Sequence, residues 1–155
     1  MLVAYCSGGT CAGGADTINV LTSTLAAVTG QLPAIAINSQ NHPIVAWYDG
    51  GSAALRVANC TDTRCNVGQV QALIDDDNSV EAGFYPSIAI RPNGHPIIAY
   101  QYRVVGGAGG SGLRVAECSD HLCTGPVRSI TLDYRPGEIT GAGTDITIGA
   151  DGGVD

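Results

Sequence analysis

The sequence predicts an all-β protein built of four-stranded antiparallel units, the blades of a β-propeller. Two sequence elements recur at intervals of 50-odd residues, which is typical of propellers and other repeat arrays. Within each repeat, apolar runs of four to six residues rich in Ile, Val and Ala are bounded by Asn-Gly, Asp-Gly or Pro. No segment keeps the apolar period of a helix over twelve residues.

The first recurring element ends in a cysteine. Residues 55–60 (Leu-Arg-Val-Ala-Asn-Cys) recur at 113–118 (Leu-Arg-Val-Ala-Glu-Cys), and residues 1–6 are a weaker copy. The second element is an apolar run, a turn and another apolar run: it occupies 33–48 and 86–100, and a third copy begins at 144. Asn93-Gly94 and Asp151-Gly152 mark its hairpin turns, because Gly tolerates the positive φ of primed turns.

The elements of one repeat can be placed in order. In the repeat that contains Asn93-Gly94, strand one is predicted at 87–90, strand two at 97–102, strand three at 113–117 and strand four at 127–132. In the preceding repeat, residues 69–74 are the best helix candidate. They are too short for a stable helix and lie where strand four is expected.

These assignments divide the chain into a single propeller-like array. Residues 1–24 form half a blade, 25–78 and 79–135 form whole blades, and 136–155 supply the first strand of the next. About three blade-equivalents make an incomplete ring, because propellers close with about four to eight blades. Open blade edges attract partners, so we expect either flanking blades of a longer chain or copies that assemble as a ring or filament.

The repeated pattern of Pro-Ser-Ile-Ala-Ile, turn, Pro-Ile-Ile-Ala-Tyr and Leu-Arg-Val-Ala-x-Cys resembles a known family. It is similar to the blades of secreted microbial β-propeller repeat proteins of the sialidase-like or surface-repeat type. The resemblance covers most of the chain and implies the blade fold. It does not imply one function, because propellers serve as lectins, scaffolds and enzymes alike.

The cysteines form three C-x4-C pairs, one in each repeat. They are Cys6 and Cys11, Cys60 and Cys65, and Cys118 and Cys123. Zinc sites favour C-x2-C and need four convergent ligands, whereas each pair here is isolated in its own blade, so we predict local disulfides and no metal site. Disulfides in every repeat indicate an oxidising compartment, which predicts a secreted or cell-surface protein.

The charge balance excludes several classes of partner. The formal net charge is −7 and the chain contains no lysine, so neither nucleic acid nor an anionic membrane surface is an expected partner. No apolar run reaches the ~18 residues of a membrane-spanning helix, so membrane insertion is not expected. Nothing in the sequence predicts a cofactor.

Aromatic and polar side chains at the ends of two predicted second strands could bind glycans. Aromatic rings stack on the apolar face of a sugar, and neighbouring polar groups bond its hydroxyls. The alternative is ordinary packing between blades. The candidate ligand-binding residues are Trp47, Tyr48, Asp49, Tyr100, Tyr102 and Arg103.

Two further local patterns each have a functional and a structural interpretation. Asn59-Cys60-Thr61 fits the N-glycosylation pattern, although no other repeat matches it. The acidic run 75–78 offers oxygen ligands, but it lacks the spacing of a calcium loop, which favours a solvated loop.

No catalytic residues emerge from the sequence. The three glutamates fall at unrelated repeat positions, and His42 and His95 recur at the same turn, which suggests architecture rather than a unique active site. The sequence therefore predicts a non-enzymatic extracellular or cell-surface module, structural or binding, that self-associates through open blade edges. The alternatives are a fragment of a sialidase-like glycoside hydrolase, or a lectin assembled from part-propellers.

Overall fold

The computed structural model describes residues 2–6, 17–20, 29–66, 70–75, 77–107 and 109–154, and within them every regular element is a β-strand. The first two strands, β1 (Leu2–Tyr5) and β2 (Thr17–Val20), form an antiparallel pair. The predicted all-β class is therefore confirmed for the described part of the chain. No described helix is long and apolar enough to cross a membrane.

Two four-stranded antiparallel sheets follow, each in sequential order. Sheet I consists of β3 (Thr29–Ile37), β4 (Pro43–Asp49), β5 (Ala54–Asn59) and β6 (Val70–Asp75). Sheet II consists of β7 (Val80–Ile90), β8 (Pro96–Val104), β9 (Ser111–Cys118) and β10 (Val127–Tyr134). The segment with the best helical pattern, 69–74, overlaps β6, because its residues pair with β5 as the fourth strand of sheet I. Neither sheet closes on itself.

The first hairpin of each sheet has the same geometry. Its turn is closed by two backbone hydrogen bonds, and the fourth turn residue has a positive φ. The outer bond runs from Asn38 N to His42 O (3.0 Å) in sheet I and from Arg91 N to His95 O (3.0 Å) in sheet II. The same turn occurs a third time, closed by the bond from Gly149 N to Gly153 O (2.9 Å), and it lies between the bridged residues Ile148 and Val154. The third repeat therefore begins within the described residues.

Alternate side chains of each strand point to opposite faces of its sheet, and one face of each sheet packs on the element before it in the chain. We call this the front face and the other the back face. The front face of sheet II packs on the back face of sheet I and forms the largest core cluster. Its main contributors are Ile44, Ala46, Leu55 and Val57 from sheet I, and Ile98, Tyr100, Ala116, Cys118 and Cys123 from sheet II.

The same repeat positions form the front face in both sheets. On sheet I the front-face residues Val45, Trp47 and Ala58 pack with Val3 of β1. Their equivalents on sheet II are Ile98, Tyr100 and Ala116. On the back face of sheet II, Ile97, Ala99 and Val115 pack with Ile146 of the third repeat. Successive sheets are thus stacked front to back in one direction.

The closest approach between the two sheets is at Gly83 of β7. Its φ is +105°, and a Cβ at this position would lie 2.8 Å from the Cα of Leu55 on β5. β7 is bulged on both sides of Phe84, which lets the strand follow sheet I while it pairs with β8. Glycine is therefore required here by both backbone conformation and space.

We expect Gly83→Ala to lower the free energy of unfolding by about 3 kcal/mol, because it adds both strain and a clash with backbone. Gly94→Ala is the matched control: its φ is +83°, but nothing lies within 4 Å of the added Cβ. The control should lose about 1 kcal/mol from backbone strain alone. Urea unfolding measures both, and equal losses would contradict the close approach of the sheets.

Candidate functional site

The two described C-x4-C loops are built alike. Cys60 is bonded to Cys65 and Cys118 to Cys123, and in both pairs the Cα atoms are 4.9 Å apart. Cys6 is disulfide-bonded, and its predicted partner Cys11 lies outside the described residues. The second cysteine of each described pair has a positive φ, near 55°.

An aspartate holds each of these disulfide loops. Asp62 accepts backbone hydrogen bonds in the first loop, and Asp120 accepts them in the second, from Leu122 N (2.7 Å) and Thr124 N (3.2 Å). Desolvation raises the pKa of Asp120, but the backbone hydrogen bonds from Gly125, Thr124 and Leu122 outweigh it and leave the pKa below its usual value. These carboxylates are therefore part of the loop architecture.

Trp47 is a core side chain. It lies on the front face of sheet I, is 1% exposed, and packs against Val45, Ala58 and Cys60. An indole covered on both sides offers no face to a sugar. The packing alternative describes this position.

Tyr100 and Tyr102 lie between the two sheets, in a polar cluster with Asp75 and Arg114. The Tyr100 hydroxyl donates to Asp75 Oδ2 (2.7 Å), and Arg114 Nη1 donates to the same oxygen (2.9 Å). The Arg114 guanidinium also lies 4.2 Å from the centroid of the Tyr102 ring. Asp75 is on β6 and its partners are on sheet II, so this inter-sheet cluster joins the sheets through charge-assisted hydrogen bonds.

Burial governs the ionisation of the inter-sheet cluster. Desolvation, followed by the negative charge of Asp75, raises the pKa of the Tyr100 phenol far above its ordinary value. For Arg114, desolvation lowers the pKa, but the hydrogen bond and charge of Asp75 outweigh it and raise the pKa. Tyr100 is therefore an uncharged hydrogen-bond donor to the buried carboxylate, and Arg114 is the cation that neutralises it.

The other three predicted ligand-binding residues, Tyr48, Asp49 and Arg103, do not form one site. Tyr48 stacks on Phe84 of sheet II, with ring centroids 4.2 Å apart, and the guanidinium of Arg103 covers the Phe84 ring at 4.0 Å. Asp49, on the opposite face of sheet I, accepts from Arg56 Nε (3.0 Å) and from the Ser52 hydroxyl (2.8 Å). The structure thus distributes the predicted glycan-binding set over separate places, and its aromatic faces are used for packing.

Asn59, the predicted glycosylation site, is buried at the contact between the two sheets. The residue is 2% exposed, and its Nδ2 donates to the backbone oxygen of Leu122 at 2.7 Å. A sugar linked to that nitrogen would have to break this bond and open the contact between the two sheets. Glycosylation of Asn59 stays a prediction from the sequence, and in the folded structure Asn59 links sheet I to the second disulfide loop.

The acidic run contributes to the inter-sheet cluster rather than to a calcium loop. Asp77 lies 3.8 Å from Arg114 Nη2 and accepts hydrogen bonds from Ser79, whose hydroxyl and backbone N–H lower the pKa of Asp77. Asp76 lies outside the described residues. In the described part of the chain, no group of three or more His, Cys, Asp or Glu side chains could hold a metal ion.

The back face of sheet II carries an apolar cavity of about 350 Å³, which we call the back groove. Its floor is formed by Ala99, Leu113 and Val115. Their repeat equivalents on sheet I are Ala46, Leu55 and Val57, which are each 0% exposed because sheet II covers them. On sheet II, Ile146 of the third repeat already packs on Ala99 and Val115, which are 4% and 7% exposed. The back groove is therefore the part of the following sheet's position that the third repeat leaves open.

The front face of the array is also incompletely covered. Ile35 and Ile37 of β3 are 57% and 54% exposed, and they line a cavity beside β1. Their equivalents Ile88 and Ile90 of β7 pack against the core between the sheets. We call the exposed pair the front ridge. The front ridge and the floor of the back groove are the repeat equivalents of the two sides of the contact that joins sheet I to sheet II, although Ile146 already occupies part of the floor.

Sequence reasoning did not identify the structural roles of Asp75, Arg114 and Phe84, which organise the contact between the sheets. One signal was available: Arg56 and Arg114 occupy equivalent positions on otherwise apolar strands, and an arginine there requires an acidic partner. Each arginine has one, Asp49 in its own sheet for Arg56 and Asp75 across the interface for Arg114.

Comparisons with known proteins identify no relative. No protein-family model matches the chain, and neither the curated proteins nor the solved structures contain a match.

We expect Arg114→Met to lower the free energy of unfolding by about 3 kcal/mol, because it leaves the carboxylate of Asp75 buried without its cation. Arg135→Met is the control, because its ion pairs with Asp133 and Glu138 are exposed, and it should lose less than about 1 kcal/mol. Chemical denaturation of both variants measures the difference. A loss at Arg114 no larger than that at Arg135 would contradict the inter-sheet cluster.

We also expect alkaline pH to destabilise the protein through Tyr100. Its phenol ionises near pH 10 in the unfolded chain but stays protonated in the fold, so this contribution is intact below about pH 10 and is lost as pH rises further. Tyr100→Phe should flatten the fall in the urea midpoint between about pH 8 and about pH 11. An unchanged slope would show that Tyr100 ionises freely in the fold.

Proposed function

We propose that this chain is a propeller-type repeat module of the cell exterior, with a non-enzymatic structural or binding role, that associates head to tail with further copies of itself. The observation that carries the proposal is the back groove. Its floor repeats, position for position, the surface that sheet I buries against sheet II. The partner is therefore another sheet of the same kind.

The stacking direction supports a propeller-type arrangement. Successive propeller blades pack face to face in the same sense around an axis, and sheets I and II have this front-to-back relation. The first strand of sheet II also contacts three strands of sheet I, β3, β4 and β5. A second copy would extend the same series by placing its front ridge in the back groove, beside Ile146 of the third repeat, which already packs on sheet II.

Apolar burial supplies the driving force for this association. Leu132, beside the back groove, is 60% exposed, and Ile35 on the front ridge is 57% exposed. Full burial of a side chain of this size stabilises a contact by about 1.5–3 kcal/mol. Because the two surfaces differ, the contact is heterologous, and repeated contacts close into a ring or continue as a filament.

The disulfides support an extracellular location. Cys60–Cys65 and Cys118–Cys123 each close a loop at the same end of a sheet. Disulfides persist in secreted and surface proteins and are rare where the cytosol keeps thiols reduced. An extracellular module is also consistent with its acidic, lysine-free composition.

Sedimentation velocity over a range of protein concentration tests the proposed association. The unaltered chain should form species larger than a monomer, and either Leu132→Asp or Ile35→Asp should abolish them, since each places a charge in one half of the contact. Val105→Asp is the matched control, because Val105 is 59% exposed but belongs to neither half.

Mixing the two defective variants distinguishes head-to-tail contact from other modes. The Leu132→Asp copy keeps an intact front ridge and the Ile35→Asp copy keeps an intact back groove, so the mixture should form a dimer that grows no further. A chain that stays monomeric at every concentration would refute self-association. Two defective variants that fail to combine would refute the head-to-tail geometry.

A further inference from the structure

A polar cleft lies between the two sheets, at the end of the molecule where their first hairpins turn. It consists of two adjoining cavities of about 270 and 230 Å³, which share Asn38, Gln40 and His121. We call it the hairpin cleft. Its walls come from the hairpin turns of sheets I and II and from the second disulfide loop, so it exists only because the two sheets are stacked.

The hairpin cleft offers a mixture of uncharged donors and acceptors. The side-chain oxygens of Asn38 and Asn93 accept backbone bonds within their own turns, which fixes these side chains and presents their NH₂ groups as donors. Gln40 and the imidazoles of His95 and His121 can each both donate and accept. This combination matches hydroxyl groups, which also donate and accept.

An orphaned acceptor lies in the wall of the hairpin cleft. Asn59 lines the cleft and is 2% exposed, and while its Nδ2 is held by Leu122 O, its Oδ1 has no hydrogen-bond donor. Buried acceptors of this kind are rare in folded proteins, because a missing hydrogen bond costs about 1–3 kcal/mol. Because this oxygen is itself covered, a ligand hydroxyl would supply the missing donor once the neighbouring side chains of the cleft wall move to admit it.

The charges around the hairpin cleft disfavour ionic ligands. Among the described residues, no Asp, Glu or Arg side chain lines either cavity. The nearest turn cation, Arg91, is paired with Glu117. The overall charge of −7 opposes anions, and the described residues hold no group that could ligate a metal ion. A neutral ligand fits best.

The inner wall of the hairpin cleft is apolar. Leu122 and the half-cystine Cys60 line it, together with the amides and imidazoles of the turns. A ring with one C–H face and a rim of hydroxyls has the same division of apolar and polar surface. We propose that the hairpin cleft binds a neutral saccharide of one or two sugar units, held through its hydroxyls by Gln40 and His121 and seated against Leu122.

This site differs from the glycan site that the sequence suggested. It uses none of the six residues predicted there, and it shares no lining residue with the back groove or the front ridge. Saccharide binding and self-association can therefore fail separately.

Titration calorimetry against neutral mono- and disaccharides of glucose, galactose, mannose and N-acetylglucosamine tests the proposal, with glucuronic acid and sialic acid as the acidic probes. At least one neutral sugar should bind, and His121→Ala and Gln40→Ala should each weaken it about tenfold. Both side chains are exposed, so thermal unfolding should be unchanged. Asn78→Ala is the control, because Asn78 is exposed in the turn before β7 and lines neither cavity.

The same titration in Leu132→Asp should give unchanged affinity, because the hairpin cleft does not need a second copy. The proposal is overturned if no neutral sugar binds, if only the acidic sugars bind, or if binding survives both His121→Ala and Gln40→Ala.

Discussion

The structure depends on one repeated contact, in which the apolar back face of each sheet is buried against the repeat that follows it in the chain. Alternate residues of β4 and β5 form the back face of sheet I, and residues at the equivalent positions form the back face of sheet II. A sheet with two apolar faces cannot leave either in water, so each repeat needs a repeat before it and one after it. The exposed front ridge and the back groove are direct consequences of this constraint.

Buried polar contacts also join the two sheets, in addition to the apolar core. At one end, the inter-sheet cluster of Tyr100, Asp75 and Arg114 satisfies a buried carboxylate across the interface. At the other end, Asn59 bonds the second disulfide loop of the neighbouring sheet. Buried polar contacts of this kind require one geometry, so they define how successive sheets are placed, whereas apolar contacts alone tolerate sliding.

Most of the fold, and little of the candidate site, could be predicted from the sequence. Turn chemistry and alternation are local, so the hairpin at Asn93-Gly94, the strands and the C-x4-C loops were predictable from neighbouring residues. The partner of a side chain across two sheets is not local. Trp47 was therefore predicted to bind glycans, although the stacking of the sheets buries it. The contact of His121 with Gln40, some eighty residues away in the chain, could not be predicted from either segment.

Hydrogen–deuterium exchange at low and high protein concentration tests the central claim most directly, because it reports which strands become protected when copies meet. If equivalent faces stack between copies, peptides from β10 and from β3 should exchange more slowly at high concentration, while the turn at 50–53 should not change. Protection that is independent of concentration, or that appears at the turn instead, would contradict the account.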